Sequence, residues 1–203
     1  MKKGLVICSI LIAGLAAACT LAPRDTGTAF MFALAPIRII NQGAASESLV
    51  VALPTTSPEL DTYRIALTKD DGRWDYYAGA RWAEFLPLIV QDSLMKTLEH
   101  ARLFKSVRMD QTGLIGDKLL KVEIRAFQAA YAPGAATPVI GVRMAASLLS
   151  DLERTPLATF TVSAERKASG NRLSEIQAAF VAAFNEAQLQ LVDKLGRISS
   201  INK

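Results

Sequence analysis

The chain has 203 residues, 51% of them hydrophobic, and a formal net charge of +4 at pH 7. Lys2 and Lys3 supply two of those charges, and the rest of the chain holds no block of Lys and Arg interleaved with aromatics, so nucleic-acid binding has little support. One His with one lipidated Cys, the residues left once the N-terminal signal read below is removed, cannot supply a dedicated nitrogen-and-sulfur metal site, and no metal site or cofactor is expected.

The N-terminus reads as an export signal. Lys2 and Lys3 precede an uncharged, mostly apolar stretch from Gly4 to Ala18 that ends in small residues. That stretch is shorter than the roughly 20 apolar residues a membrane-spanning helix needs. Cys19 follows Ala16-Ala17-Ala18 directly. A bacterial lipoprotein signal places a cysteine there, because diacylglycerol is attached to the thiol through a thioether. Ala16-Ala17-Ala18 also reads as an ordinary A-x-A cleavage site, which would release a soluble protein with Cys19 as a free thiol. On the lipoprotein reading residues 1–18 are the signal peptide, Cys19 is the lipidation site and residues 19–28 are a lipidated tether. TLAPRDTGT (20–28) is small, polar and contains Pro and Gly, as a flexible tether requires. Cys8 leaves with the signal, so no internal disulfide forms. Residues 29–203 are then one domain.

Strands come next. FMFAL (30–34), SLVVALP (48–54) and TYRIALT (62–68) are short and rich in apolar or β-branched residues, with NQG and PTTSPELD between them. DDG (70–72) reads as a hairpin turn into WDYYAG (74–79). A helix is expected over roughly Trp82 to Ala101, with Trp82, Phe85, Leu86, Ile89, Leu94, Leu98 and Ala101 near one face. Pro87 lacks an N–H and suits only a first turn, which moves the regular start toward Leu86.

LFKSVRMD suggests a short strand. KLLKVEIRAFQ (118–128) alternates Leu120, Val122, Ile124 and Ala126 against Lys121, Glu123 and Arg125, the contrast of a half-buried antiparallel strand. PVIGVRMAASLLSD (138–151) and LATFTVSAERK (157–167) make two more. The last element is a helix over about Ser174 to Ile198. Ser174 and Gln177 form a capping box, Ile176, Phe180, Phe184, Ala187, Leu191 and Leu195 make the stripe, and Lys194 and Arg197 suit the C-terminal end. The order implies an α+β fold: an antiparallel or mixed sheet with two long helices packed against it.

Motifs for catalysis are weak. His100 lies near the end of the first helix with no identifiable nucleophile, and reads as a solvated helix-end histidine. Ser93-Leu94-Met95-Lys96 matches S-x-x-K and Ser169-Gly170-Asn171 matches S-x-N, but the third element of penicillin-binding enzymes, K-T-G or K-S-G, is absent. These two matches read as an exposed helix edge and a turn. Gly113-Leu-Ile-Gly116-Asp117-Lys118 lacks the spacing and the GK[ST] ending of a phosphate loop, and reads as a turn. No catalytic residue is assigned, and a binding or assembly protein is expected rather than an enzyme.

The series LDTYRIALTKDDGRWDYYAGARWAEFLPLIVQDSLMKTLEHARLFKSV (60–107) resembles the ABC-type transport auxiliary lipoprotein family of the paraquat-inducible and mammalian-cell-entry transport systems. The likeness extends to the F-x-L strand at Phe32 to Leu34, the VVALP strand, the alternating strand at 119–126 and the Ala-rich terminal helix. Phe85 departs from a proline often found there. The resemblance implies a periplasm-facing lipoprotein anchored in the outer membrane. Its implied partner is an ABC transporter with a mammalian-cell-entry-type substrate-binding subunit, and its implied cargo is lipids or other apolar molecules. A cell-envelope hydrolase with divergent motifs and a structural envelope lipoprotein are the alternatives. Within YYAGARWAEFL (76–86), consecutive strand residues point to opposite faces, so Tyr76 and Tyr77 cannot both enter one core. One tyrosine, with Arg81, is expected to be exposed and to border a contact with a second copy or the transport partner, whereas Trp82 and Phe85, three apart, are expected to share a helix face.

Overall fold

The structure, a computed structural model, describes residues 29–37, 46–69, 71–110 and 115–201. The expected signal, Cys19 and the 19–28 tether lie outside the described residues, as do the NQG connection, Asp70 and Gly113. In chain order the elements are β1 (Phe30–Phe32), β2 (Ser48–Val51), β3 (Thr55–Thr56), β4 (Arg64–Thr68), β5 (Trp74–Trp82), α1 (Leu86–Ala101), β6 (Ser106–Met109), β7 (Lys118–Ala130), β8 (Val139–Ser150), β9 (Pro156–Lys167) and α2 (Leu173–Ile201).

The alternating strand β7 organises the sheet. One of its edges pairs antiparallel with β8 from Lys118↔Ser150 to Ala130↔Val139, and β8 continues to β9. Its other edge takes three short strands in succession, all parallel: β2 at Leu119, β3 at Glu123 and Ile124, and β4 at Ala129. From there the sheet forks. β6 joins β2 in parallel, while β5 joins β4 antiparallel and β1 joins β5 in parallel. Among the described residues the result is a nine-stranded mixed sheet.

Both helices pack on one face of it. Leu86, Val90, Leu94, Leu98 and Ala101 of α1, with Ile176, Phe180, Phe184, Ala187, Leu191 and Leu195 of α2, are at most 1% exposed. They meet Phe32, Trp82 and Phe127 from the sheet, and the rings interlock: Phe127 stacks on Phe180 at 5.7 Å, and Trp82 stands edge-on to both Phe127 and Phe180. Lys121, Glu123 and Arg125 of β7 are exposed on the opposite face, so the sheet is covered on one side only. The free edge of β9 is blunted by a side chain of α2: Ser163 N–H donates to Gln190 Oε1 at 3.1 Å, and Gln190 Nε2 donates to Ser163 O at 2.9 Å.

Several expectations need correction. β1 ends at Phe32 rather than Leu34, and the two-residue β3 is additional. α1 begins at Leu86, with Phe85 as its N-cap and Pro87 in the first turn. Trp82 is therefore the last residue of β5, paired with Phe32, and does not share a helix face with Phe85. α2 starts at Leu173, which puts Ser174 inside the first turn. Glu175 supplies the capping carboxylate instead, accepting from Arg172 N–H at 3.0 Å. At the other end α2 runs on to Ile201, and Lys194 lies 5.7 Å from the Phe160 ring centre instead of serving a final turn.

β5 carries a long irregularity. Between the pairs Ala66↔Tyr76 and Arg64↔Arg81, β4 advances two residues while β5 advances five. Gly79 sits in this stretch at φ 67°, a conformation that costs an L side chain roughly 1–2 kcal/mol. A Cβ there would meet open space, so Gly79→Ala tests backbone strain alone. It is expected to lower stability by about that amount, read as the shift in a denaturant midpoint at constant m-value.

Candidate docking junction

The irregularity in β5 sets which way its side chains point. Trp82 faces the helices and is 1% exposed, so its neighbour Arg81 faces away and is exposed. Arg81 lies between Met31 of β1 and Arg64 of β4. Tyr76, opposite Ala66, is on the same uncovered face: the Arg64 guanidinium lies 3.8 Å from its ring centre, and its hydroxyl donates to Glu59 O at 3.1 Å. Tyr77 takes the other side, and both tyrosine rings pack against buried residues. The Tyr77 hydroxyl lies 3.0 Å from that of Tyr131, which donates in turn to Asn171 Oδ1. Burial first, and then the Tyr131 hydroxyl, push the Tyr77 phenol well above the usual tyrosine range, so it stays protonated.

The opposite orientation of the two tyrosines agrees with strand geometry, but neither is fully exposed. Tyr76 is shielded by Arg64 and the 57–60 turn, and Tyr77 meets Tyr131 of the β7–β8 connection. The exposed apolar surface lies beside Arg81 instead. Met31 is 52% exposed, and Tyr63 and Phe85 are 36% exposed with ring centres 4.0 Å apart. Arg and Tyr beside uncovered apolar groups are the residue types that dominate protein interfaces. Arg64 and Tyr63 were legible as strand residues at 62–68, but their placement beside Arg81 depends on the β4–β5 register.

The residues of the S-x-x-K and S-x-N matches have separate employments. Ser93 is buried, not on an exposed edge, and its hydroxyl donates to Gln188 Oε1 at 3.3 Å. Lys96 pairs with Asp92 on the exposed side of α1, and Asn171 serves Tyr131. His100 is exposed, with Nδ1 3.2 Å from Ile37 O. Among the described residues no group of His, Cys, Asp and Glu is placed to hold a metal ion, and no helix is long and apolar enough to cross a membrane. A hollow of about 420 Å³ lies between β2, β6 and the 115–117 loop, lined in part by Lys105, Arg108 and Asp117. Hydrogen bonds from Ser48 N–H and Oγ hold the Asp117 carboxyl below the usual range.

A family model described as "ABC-type transport auxiliary lipoprotein component" matches residues 32–196. Among solved structures, a Xanthomonas campestris protein described under the family label DUF330 superposes with a TM-score of 0.77 at 24% identity, over 86% of this chain and 98% of that one. An uncharacterized protein superposes at 0.65 with 14% identity, over 83% and 99%. A hypothetical protein from Chlamydia trachomatis does so at 0.53 with 7% identity, over 77% and 99%. These likenesses speak for the fold. No curated protein matches the sequence.

Proposed function

The chain belongs to the ABC-type transport auxiliary lipoprotein family, and from that premise we propose that it is a lipid-anchored docking subunit of an ABC transporter. On this reading its partner is a mammalian-cell-entry-type substrate-binding subunit, and the system moves lipids or other apolar molecules between the inner and outer membranes. The observation that carries the reading is the family match across the folded body, residues 32–196. The geometry agrees with it. The space between sheet and helices is filled by aromatic and aliphatic side chains, which suits a body that docks more than one that encloses cargo. Arg81 with Met31 and Tyr63 supplies the exposed part of the contact with the partner or a second copy, Tyr76 borders it, and Tyr77 stands behind it on the core side. ATP is hydrolysed by another subunit, and this chain performs no catalysis.

Cys19 carries the lipid, and the residue after it, Thr20 rather than Asp, favours the outer membrane, with the body facing the periplasm. Two or three acyl chains, at ~0.8 kcal/mol per buried CH₂, give persistent anchoring where one chain gives marginal binding. Cys19→Ser is expected to move the protein from the membrane pellet to the soluble periplasmic fraction with its melting temperature unchanged. A variant that still pellets with outer membrane after a high-salt wash places the anchor elsewhere. The function itself is tested by affinity purification of the anchored protein from cells. The mammalian-cell-entry-type subunit should co-purify, and its consistent absence from intact envelopes would overturn the docking role.

A further inference from the structure

The uncovered face of the sheet carries arginines in a row. Arg81 of β5 pairs directly with Arg64 of β4. Arg64 lies three residues before Leu67, which pairs with Ala129, and so falls level with Ala126 of β7; Ala126 in turn pairs with Arg143 of β8. Arg125 is the extra residue where the β7–β8 register shifts between Ile124 and Ala126, and it is exposed beside that row. A bulge re-aims a side chain, and here it adds a fourth guanidinium. Strands are about 4.8 Å apart, so Arg81 and Arg143 stand roughly 14 Å from each other across the face.

This arrangement is not what stability alone selects. Like charges directly opposite each other on neighbouring strands are destabilising, yet Arg64 faces Arg81. Arg64 is partly compensated by its stack on Tyr76, and Arg125 by Glu123 at 2.9 Å. Among the described residues Arg81 and Arg143 enter no ion pair. Between Arg125 and Arg143 the surface sinks into a hollow of about 260 Å³, where Gly141 has open space above its Cα and Glu165 lies on the far rim.

We infer that this row is a docking site for an acidic, extended segment of a protein partner. Side chains on one face of an extended segment recur every ~6.8 Å, so three carboxylates span the roughly 14 Å from Arg81 to Arg143. Arginine forks bind carboxylates through paired hydrogen bonds, which a rigid sheet presents at fixed spacing. The occupant is a protein rather than an anionic membrane because the row is narrow and confined to the width of four strands. It also continues directly into Arg81 of the docking junction. The inference rests on the docking reading above and gives that partner its chemistry.

The test measures binding of a fluorescein-labelled oligoglutamate peptide to the full-length lipoprotein in detergent, at low and physiological salt. Arg64→Gln/Arg143→Gln is compared with Lys121→Gln, a control on the same face outside the row. The double variant should weaken peptide binding roughly tenfold or more with an unchanged melting temperature, while Lys121→Gln has little effect. Absence of peptide binding, or equal losses in control and double variant, overturns the site. Binding to phosphatidylcholine–phosphatidylglycerol vesicles that the double variant abolishes, with the peptide indifferent, assigns the arginines to lipid headgroups and overturns it too. The two readings fail separately. Retention of the transport subunit by the double variant removes the arginine row and leaves the docking role standing, whereas failure of the wild-type protein to retain it removes the docking role.

Discussion

Trp82→Ala is expected to lower the melting temperature by roughly 6–20 °C, from a loss of about 3–5 kcal/mol in a domain of this size. Trp82 ends β5 with 1% of its surface exposed, and its ring stands against Phe32 at 5.6 Å, Phe127 at 5.6 Å and Phe180 at 5.3 Å. Those neighbours come from three separate elements, so the cavity left by truncation cannot close by moving one of them. Arg81→Ala, one residue away, should change stability by no more than about 0.5 kcal/mol, because its side chain is exposed and faces away from the helices. Tyr77→Ala falls on the Trp82 side of this contrast, since its ring packs on the core and its hydroxyl meets Tyr131. Thermal melts and partner co-purification, run together on these variants, separate the core from the contact surface. An Arg81→Ala protein that melts as early as Trp82→Ala would return the whole junction to the core.

That adjacent residues divide so sharply was legible in part. Alternation in KVEIR placed Lys121, Glu123 and Arg125 on one face, until the register shift after Ile124 gave the core position to Phe127 in place of the expected Ala126, and the 3.6-residue period placed Phe180, Phe184 and Leu191 on one side of α2. Both signals depend only on neighbours in the sequence. The register of β5 against β4 does not, because the five-for-two irregularity around Gly79 resets which residues face outward. Tyr76 and Tyr77 follow strand alternation, but what shields each of them comes from turns far along the chain. The parallel pairing of β2, β3 and β4 along one edge of β7 is likewise a property of chain crossings. The arginine row assembles from β4, β5, β7 and β8, so no local pattern could have announced it.

Gln188→Leu is the second substitution with a large expected effect, about 1–3 kcal/mol, and it acts through hydrogen bonds rather than volume. Gln188 is 0% exposed in the seam between α1 and α2, where its Oε1 accepts from Thr97 Oγ1 at 2.6 Å and from Ser93 Oγ at 3.3 Å. Thr97 Oγ1 also accepts from Ile37 N–H at 3.0 Å, so one amide side chain ties α2 through α1 to the segment that follows β1. Leucine fills nearly the same space but strands two buried hydroxyl groups without an acceptor. Replacing all members of such a network by apolar groups avoids that desolvation penalty. The triple variant Ser93→Ala/Thr97→Val/Gln188→Leu should therefore regain most of what Gln188→Leu loses, while Ile37 N–H, now without its acceptor, exchanges faster with solvent deuterium. Additive losses across the three positions, or a Gln188→Leu protein as stable as the parent, would show that packing alone holds the two helices together and that the polar seam contributes nothing to their register.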